Sequence, residues 1–229
     1  DVPAESAVGR DPWSPQQYER FRDERTVPFR DLLALVRPRP GLRAVDLGCG
    51  TGELTRDLHC ALAAGETLGL DSSPAMLDQS ASFACAGLRF ELARIEEFPR
   101  GGETWDLVFS NAALQWVPDH PALLARLAGA VAPGGQLAVQ VPANQEHTSH
   151  LVATEVAQEE EFARALGGFV RRHSVQRVEE YATLLHRLGF VEQHVRLQVY
   201  GHVLPTRGDV VEWVRGTLLT AYEKRLPPA

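Results

Sequence analysis

Between Leu42 and Val141 short apolar segments alternate with longer stretches of helical periodicity, and that alternation leaves few folds open. Residues 42–47, 67–70, 88–92, 107–110 and 136–141 are apolar, bounded by turn residues and of strand length. Residues 54–64, 74–82 and 121–131 read as the helices between them. Strands joined through helices run parallel, with the helices packed on both faces of one sheet. The expected class is therefore α/β, a Rossmann-like, mostly parallel central sheet. Local signals agree: Ser73-Pro74 reads as an N-cap with proline at the first helical position, and Pro133-Gly134-Gly135 as the turn into the fifth strand.

The flanks differ. Residues 1–12 are small and polar, expected to be loose. A helix over 15–36, with Tyr18, Phe21, Leu32, Leu33 and Leu35 as its apolar face, is stopped by Pro38 and Pro40. After Val141, residues 144–172 read as polar helix broken at Gly167-Gly168, 178–188 as helix, 190–200 as an alternating strand and 210–222 as a last amphipathic helix. This describes one domain over 13–229. Residues 13–142 form the ligand-binding core, while 143–189 and 201–229 supply a small, mainly helical cap.

Composition removes several function classes. A net charge of −7 disfavours a grip on nucleic-acid phosphates, and the local arginine clusters are interleaved with acids. No apolar run approaches the ~18 residues of a membrane span. Cys49, Cys60 and Cys85 form no CxxC pair, which suits buried thiols in a reducing, cytoplasmic setting; the histidine spacing fits no zinc pattern, so no metal is expected.

The first strand runs into Asp46-Leu47-Gly48-Cys49-Gly50-Thr51-Gly52 immediately before a helix. Alternate glycines permit a sharp turn and let a ligand lie against bare peptide, while the helix start offers amide donors and a positive dipole end. A dinucleotide fingerprint would need a further glycine at Glu53 or Thr55, and neither is one. The D-x-G-x-G-x-G run instead resembles the first motif of S-adenosylmethionine-dependent methyltransferases. The second strand ends at Asp71, at the carboxyl edge where open α/β sheets bind ligands. An ionised carboxylate accepts only, so Asp71 can take both hydroxyls of a ribose. The alternative, an acid capping the next helix, competes with Ser73. Met76, one turn on, is either an adenine flank or ordinary core.

Several stretches together are similar to one family, the trans-aconitate methyltransferases. They are Trp13-Ser14-Pro15 with Tyr18, Phe21, Glu24-Arg25 and Pro28; Asp46 to Gly52; Asp71-Ser72-Ser73-Pro74-Ala75-Met76; Asn111-Ala112-Ala113-Leu114-Gln115-Trp116-Val117-Pro118-Asp119-His120; and Val210 to Trp213. The resemblance implies S-adenosylmethionine as cofactor and a small organic acid as methyl acceptor. It places Asp46, Gly48, Cys49, Gly50, Gly52, Asp71, Ser72, Met76 and Asn111 at the cofactor, and Gln115 and Trp116 near the transferred methyl. Tyr18 and Arg25 would close over the site, with Arg25 on a carboxylate.

The chain departs from that pattern at three places. The family's acid after strand three is replaced by Arg94, which passes the adenine contact to the backbone of Arg94 or Ile95. An arginine expected near Thr220 is missing, which leaves the identity of the acid open. No obvious counterpart of the family's C-terminal strand follows Tyr222.

Methyl transfer is an in-line displacement in which the protein chiefly aligns the partners. A carboxylate acceptor is ionised at neutral pH and needs no general base, and no acid–base pair stands out. Basic groups that could meet such an anion are His147, His150, Arg171, Arg172, His202 and Arg207; Trp116 and Trp213 are candidate pocket walls. Three alternatives remain: another acceptor class such as a natural-product hydroxyl or carrier-bound malonyl thioester, a non-catalytic cofactor-binding module, and a nicotinamide oxidoreductase. A monomer or weak homodimer, with no nucleic-acid or membrane partner, completes the expectation.

Overall fold

Five parallel strands stand in the order β3-β2-β1-β4-β5: β1 (Arg43–Leu47), β2 (Glu66–Asp71), β3 (Leu88–Leu92), β4 (Trp105–Asn111) and β5 (Val131–Gln140). The structure, a computed structural model, describes residues 22–171 and 173–226. The chain builds outward from β1 to β3, then returns to place β4 on the other side of β1. The order reverses between β1 and β4, and the carboxyl ends of these strands form the crevice where such sheets take ligands.

Each face of the sheet is covered. On one side α1 (Arg22–Leu33) and α2 (Glu53–Ala61) bury Phe29, Leu32 and Leu58 against Ala44, Leu107 and Phe109. On the other, α4 (His120–Gly129) sets Leu123, Leu124 and Leu127 against Val45, Leu47 and Val108, with α7 (Val178–Arg187) packed outside through Tyr181 and Leu184. Between them in sequence lies α3 (Pro74–Ser80), capped by the Ser73 hydroxyl, which accepts the Met76 N–H. A smaller core joins Ala157 of α5 (Thr148–Gln158), Leu166 beyond α6 (Glu160–Ala165), and Leu218 and Tyr222 from the C-terminal helices α8 (Arg207–Val214) and α9 (Thr220–Glu223) with the π-turn between them. That satellite core lies in the C-terminal half of the chain, apart from the two cores on the sheet faces.

The differences from the sequence expectation have physical reasons. β5 starts at Val131, so Pro133-Gly134-Gly135 lies inside it, where the register against β4 shifts between Trp105 and Leu107. An edge strand with a bulge tolerates proline, which has no N–H to give. Residues 144–172 break additionally at Glu159, and the last helix begins at Arg207. Residues 190–200 form no strand. Alternation makes a strand only where a ladder partner exists, and this segment is held by side chains instead: Glu192 on Arg37, and Tyr200 donating to Asp31 at 2.8 Å. Of the three thiols only Cys49 is buried; Cys60 and Cys85 are exposed, correcting the expectation of buried thiols. Among the described residues no helix is long and apolar enough to cross a membrane. Residues 1–21, with Tyr18, lie outside the described part, as do Arg172 and the side chain of Arg25.

Candidate active site

The loop after β1 and the end of β2 are built as one piece. Gly48 and Cys49 both donate their N–H groups to Leu70 O, at 2.8 and 3.0 Å. The Asp71 carboxylate then accepts the Gly50 N–H on one oxygen and the Ser73 N–H on the other, each at 2.9 Å. Gly48 has φ +82°, and a Cβ there would stand 2.2 Å from Ala113 Cβ. The bare backbone therefore lets the loop lie directly on the turn after β4. Gly52 takes φ +83° as N-cap of α2, with no side-chain cap. A cleft of 1880 Å³ opens over this surface and is lined by Gly48, Gly50, Asp71, Ser72, Met76, Arg94, Ile95, Asn111, Gln115 and Trp116.

Asp46 and Cys49 do not line it. Asp46, 4% exposed, accepts from Thr55 Oγ1 at 2.6 Å beneath the loop. Burial pushes its carboxyl up to about 7, against the Thr55 hydrogen bond and with some repulsion from Asp71. The same burial, with Asp46 and Asp71 nearby, drives the Cys49 thiol well up, toward its protonated form. Both residues support the loop from below and lie outside the cleft lining. Arg94 turns its guanidinium to Glu96 at 2.9 Å, and Met76 is 3% exposed yet reaches the cleft.

The Asn-Ala-Ala-Leu-Gln-Trp stretch forms a tight turn at the end of β4. Ala112 sits at φ +52°, a conformation an alanine holds only under local constraint. Leu114–Trp116 is a single 3₁₀ turn closed by the Gln115 side chain, which donates to Ala112 O at 2.7 Å. His120 locks it from behind. Its Nε2 meets Leu114 O at 2.9 Å, which assigns the proton to Nε2 and makes Nδ1 the acceptor of the Tyr181 hydroxyl. That hydroxyl accepts the Gln176 N–H at 3.1 Å. Buried and held neutral by desolvation, His120 is a structural latch. Three buried amide oxygens at this end of the sheet, Asn111 Oδ1, Gln115 Oε1 and Gln140 Oε1, have no hydrogen-bond partner among the described residues. Gln140 was missed in the sequence, although it ends β5 opposite Asn111 and so occupies the same carboxyl edge.

Residues of the C-terminal half also line the cleft. Arg171 lays its guanidinium over the Trp116 ring at 4.8 Å from the centroid, and its own N–H reaches the Tyr222 hydroxyl at 3.4 Å. The His150 and His173 rings are 5.9 Å apart, and Ser149 Oγ links His147 Nδ1 (3.0 Å) to His150 Nδ1 (3.2 Å). His202 and Trp213 pack ring on ring at 5.0 Å and line the same cleft. No group of His, Cys, Asp and Glu among the described residues could hold a metal ion.

Comparison with known proteins decides the family. Residues 44–135 match a methyltransferase domain. The trans-aconitate 2-methyltransferase of Deinococcus radiodurans is 47% identical over 223 residues, 95% of this chain and 84% of the relative; that of Rhizobium meliloti is 41% identical over 218 residues, 94% and 83%. The chain belongs to the trans-aconitate 2-methyltransferase family. Solved structures share the fold. An S-adenosylmethionine-dependent methyltransferase of Mesorhizobium loti (24% identity, TM-score 0.53) is covered over 92% of its length by 86% of this chain. The YcgJ protein of Bacillus subtilis (18%, 0.55) is covered over 81% by 87%.

This methyltransferase uses S-adenosylmethionine, and its residues fit that cofactor. Gly48 and Gly50 present bare backbone to the cleft, on which a ligand can rest. Buried oxygens that lack a donor among the described residues call for one, and at Asn111, Gln115 and Gln140 an ammonium would supply it, while a sulfonium, with no hydrogen to donate, would be met by charge–dipole attraction alone. Asp71 can accept hydroxyls while keeping its two amides, since a carboxylate has about four acceptor directions.

Proposed function

We propose that this methyltransferase esterifies a carboxylate of a small polycarboxylic acid, trans-aconitate or a close analogue. The observation that carries the reading is Arg171 stacked on Trp116, a cation fixed beside the turn that borders the cofactor pocket. Relatives named trans-aconitate 2-methyltransferase support the same acceptor.

Bound S-adenosylmethionine supplies an electrophilic methyl on a cationic sulfur. Asp71 is assigned to the ribose hydroxyls, the Gly48–Gly52 loop and Asn111 to the methionine end, Met76 and Ile95 to the adenine. Gln115 and Trp116 border the reacting centre from one rigid turn, pinned by His120 and by the Gln115 bond to Ala112. His147, His150, His202 and Trp213 form the acceptor side, within a cap comprising residues 143–189 and 201–229. An ionised carboxylate attacks without a base, so the protein contributes alignment and the exclusion of water. Effective molarities up to ~10⁵ M or more are available from alignment alone. The reading extends to a cytoplasmic monomer or weak homodimer.

Incubation with isotopically labelled methyl donor and a panel of organic acids, followed by mass spectrometry, tests it. A labelled monomethyl ester of a di- or tricarboxylate is expected; label appearing only on a hydroxyl or a carrier-bound thioester would replace the acceptor class.

A further inference from the structure

The cap wall carries a basic group of a particular kind. Arg171 is half-buried over Trp116, and His150 and His173 face each other beside it. His150 belongs to α5, and the groups acting on it come from two places. His147 stands at the start of its own helix, and His173 and Arg171 lie on the segment after α6. All three are basic. The Tyr222 hydroxyl, from α9, faces Arg171. Burial and these neighbours hold His150 down to about 4, and burial with Arg171 holds His173 below its usual value. Among the described residues, the pocket at neutral pH therefore sets the Arg171 guanidinium beside the His150 and His173 imidazoles, which burial and Arg171 hold toward their neutral forms.

An anion entering this pocket reverses the electrostatics. A carboxylate within hydrogen-bond reach cancels the guanidinium field and offers each ring an acceptor, and both effects favour the imidazolium. Resting on the polycarboxylate reading, we propose that Arg171, His150 and His173 anchor the carboxylates that are not methylated, and that the rings take up protons as the acid binds. Acceptor affinity is then linked to protons while cofactor affinity is not. Acids with a second carboxylate gain most, which makes these three residues determinants of specificity. The balance is simple: the acid binds as its anion, and bulk solvent delivers each proton to a ring nitrogen.

Calorimetry of trans-aconitate and tricarballylate binding to protein saturated with S-adenosylhomocysteine tests this. It is run at pH 6.5 in MES, ACES and bis-Tris, whose ionisation enthalpies differ, so the dependence of heat on buffer counts protons. Uptake of about one proton per acid is expected, with KM for the acid rising up to about tenfold per pH unit above neutrality. His150→Gln and His173→Gln should each reduce the uptake and flatten the KM profile while S-adenosylhomocysteine affinity and Tm stay near wild type, which excludes simple misfolding. Binding without proton uptake, or a KM profile unchanged in both variants, overturns the inference and leaves the acceptor class standing. Binding of neither acid overturns the acceptor class and this inference with it.

Discussion

The carboxylate of Asp71 accepts the backbone N–H of Gly50 at 2.9 Å, so the acid at the end of β2 fixes the glycine loop after β1. Its other oxygen holds Ser73 N–H, tying in the start of α3. One side chain thus sets the geometry of three segments of the cofactor surface while presenting acceptor oxygens to the cleft.

Asp71→Asn replaces an acceptor-only group by one that must point an NH₂ at an amide or at the ligand. Hydrogen bonds to charged groups contribute about 1.5–3 kcal/mol, so S-adenosylhomocysteine affinity should fall roughly 10- to 150-fold. Titration calorimetry measures it, with circular dichroism to confirm the fold. Affinity within about twofold of wild type would remove Asp71 from the ribose.

Gly48→Ala is expected to damage the site through two separable effects. The new Cβ would stand 2.2 Å from Ala113 Cβ, and the residue would keep φ +82°. Backbone strain and overpacking each cost on the order of 1–3 kcal/mol. The double variant Gly48→Ala/Ala113→Gly relieves the clash and not the backbone conformation, so it should recover part of the lost Tm. Complete recovery would show that φ at Gly48 carries no cost.

Much of this was legible because the signals are local. The glycine loop and Ser73 before Pro74 each lie within a few residues of the element they control, and Asp71 is marked by its place at a strand end, although the loop that it fixes is 21 positions away. The sheet followed because its strands are short apolar runs. What escaped notice depends on contacts distant in sequence. His120 meets Tyr181 across 61 positions, and only the folded chain shows that the motif's last residue is a latch. Asp46 and Cys49 sit in the motif yet below the loop, a distinction of burial that spacing does not encode. Residues 190–200 alternate like a strand, but alternation says which side chains share a face and not whether a neighbouring strand is there to pair with.

Tyr181→Phe tests that latch. The hydroxyl donates to His120 Nδ1 and accepts from Gln176 N–H, so its loss strands a donor and an acceptor, costing about 1–3 kcal/mol. The network connects the Leu114–Trp116 turn to the segment that carries His173, and neither group touches the Asp71 side of the cleft. Acceptor kcat/KM should therefore drop by roughly tenfold or more, with S-adenosylhomocysteine affinity little changed. Equal losses in both would mean that the latch supports the whole fold and not the acceptor side.

The last prediction concerns pH. Asp46 is raised from 3.8 to about 7, first by burial, with Asp71 adding to it and Thr55 opposing. Between those values the folded protein holds a proton on Asp46 that the unfolded chain has released. Stability must therefore fall as pH rises through that window, and the loss levels off above about 7. At roughly 1.4 kcal/mol per pH unit the full effect is on the order of 4 kcal/mol. Asp46→Asn keeps an oxygen for the Thr55 hydroxyl and removes the titration. Urea unfolding at pH 5 and pH 8 should show the variant gaining on wild type as pH increases, by about 1–4 kcal/mol, because subtracting the two proteins cancels every other titrating group. A difference that stays constant across that range would mean that Asp46 is already ionised at pH 5, held so by the Thr55 hydroxyl despite its burial.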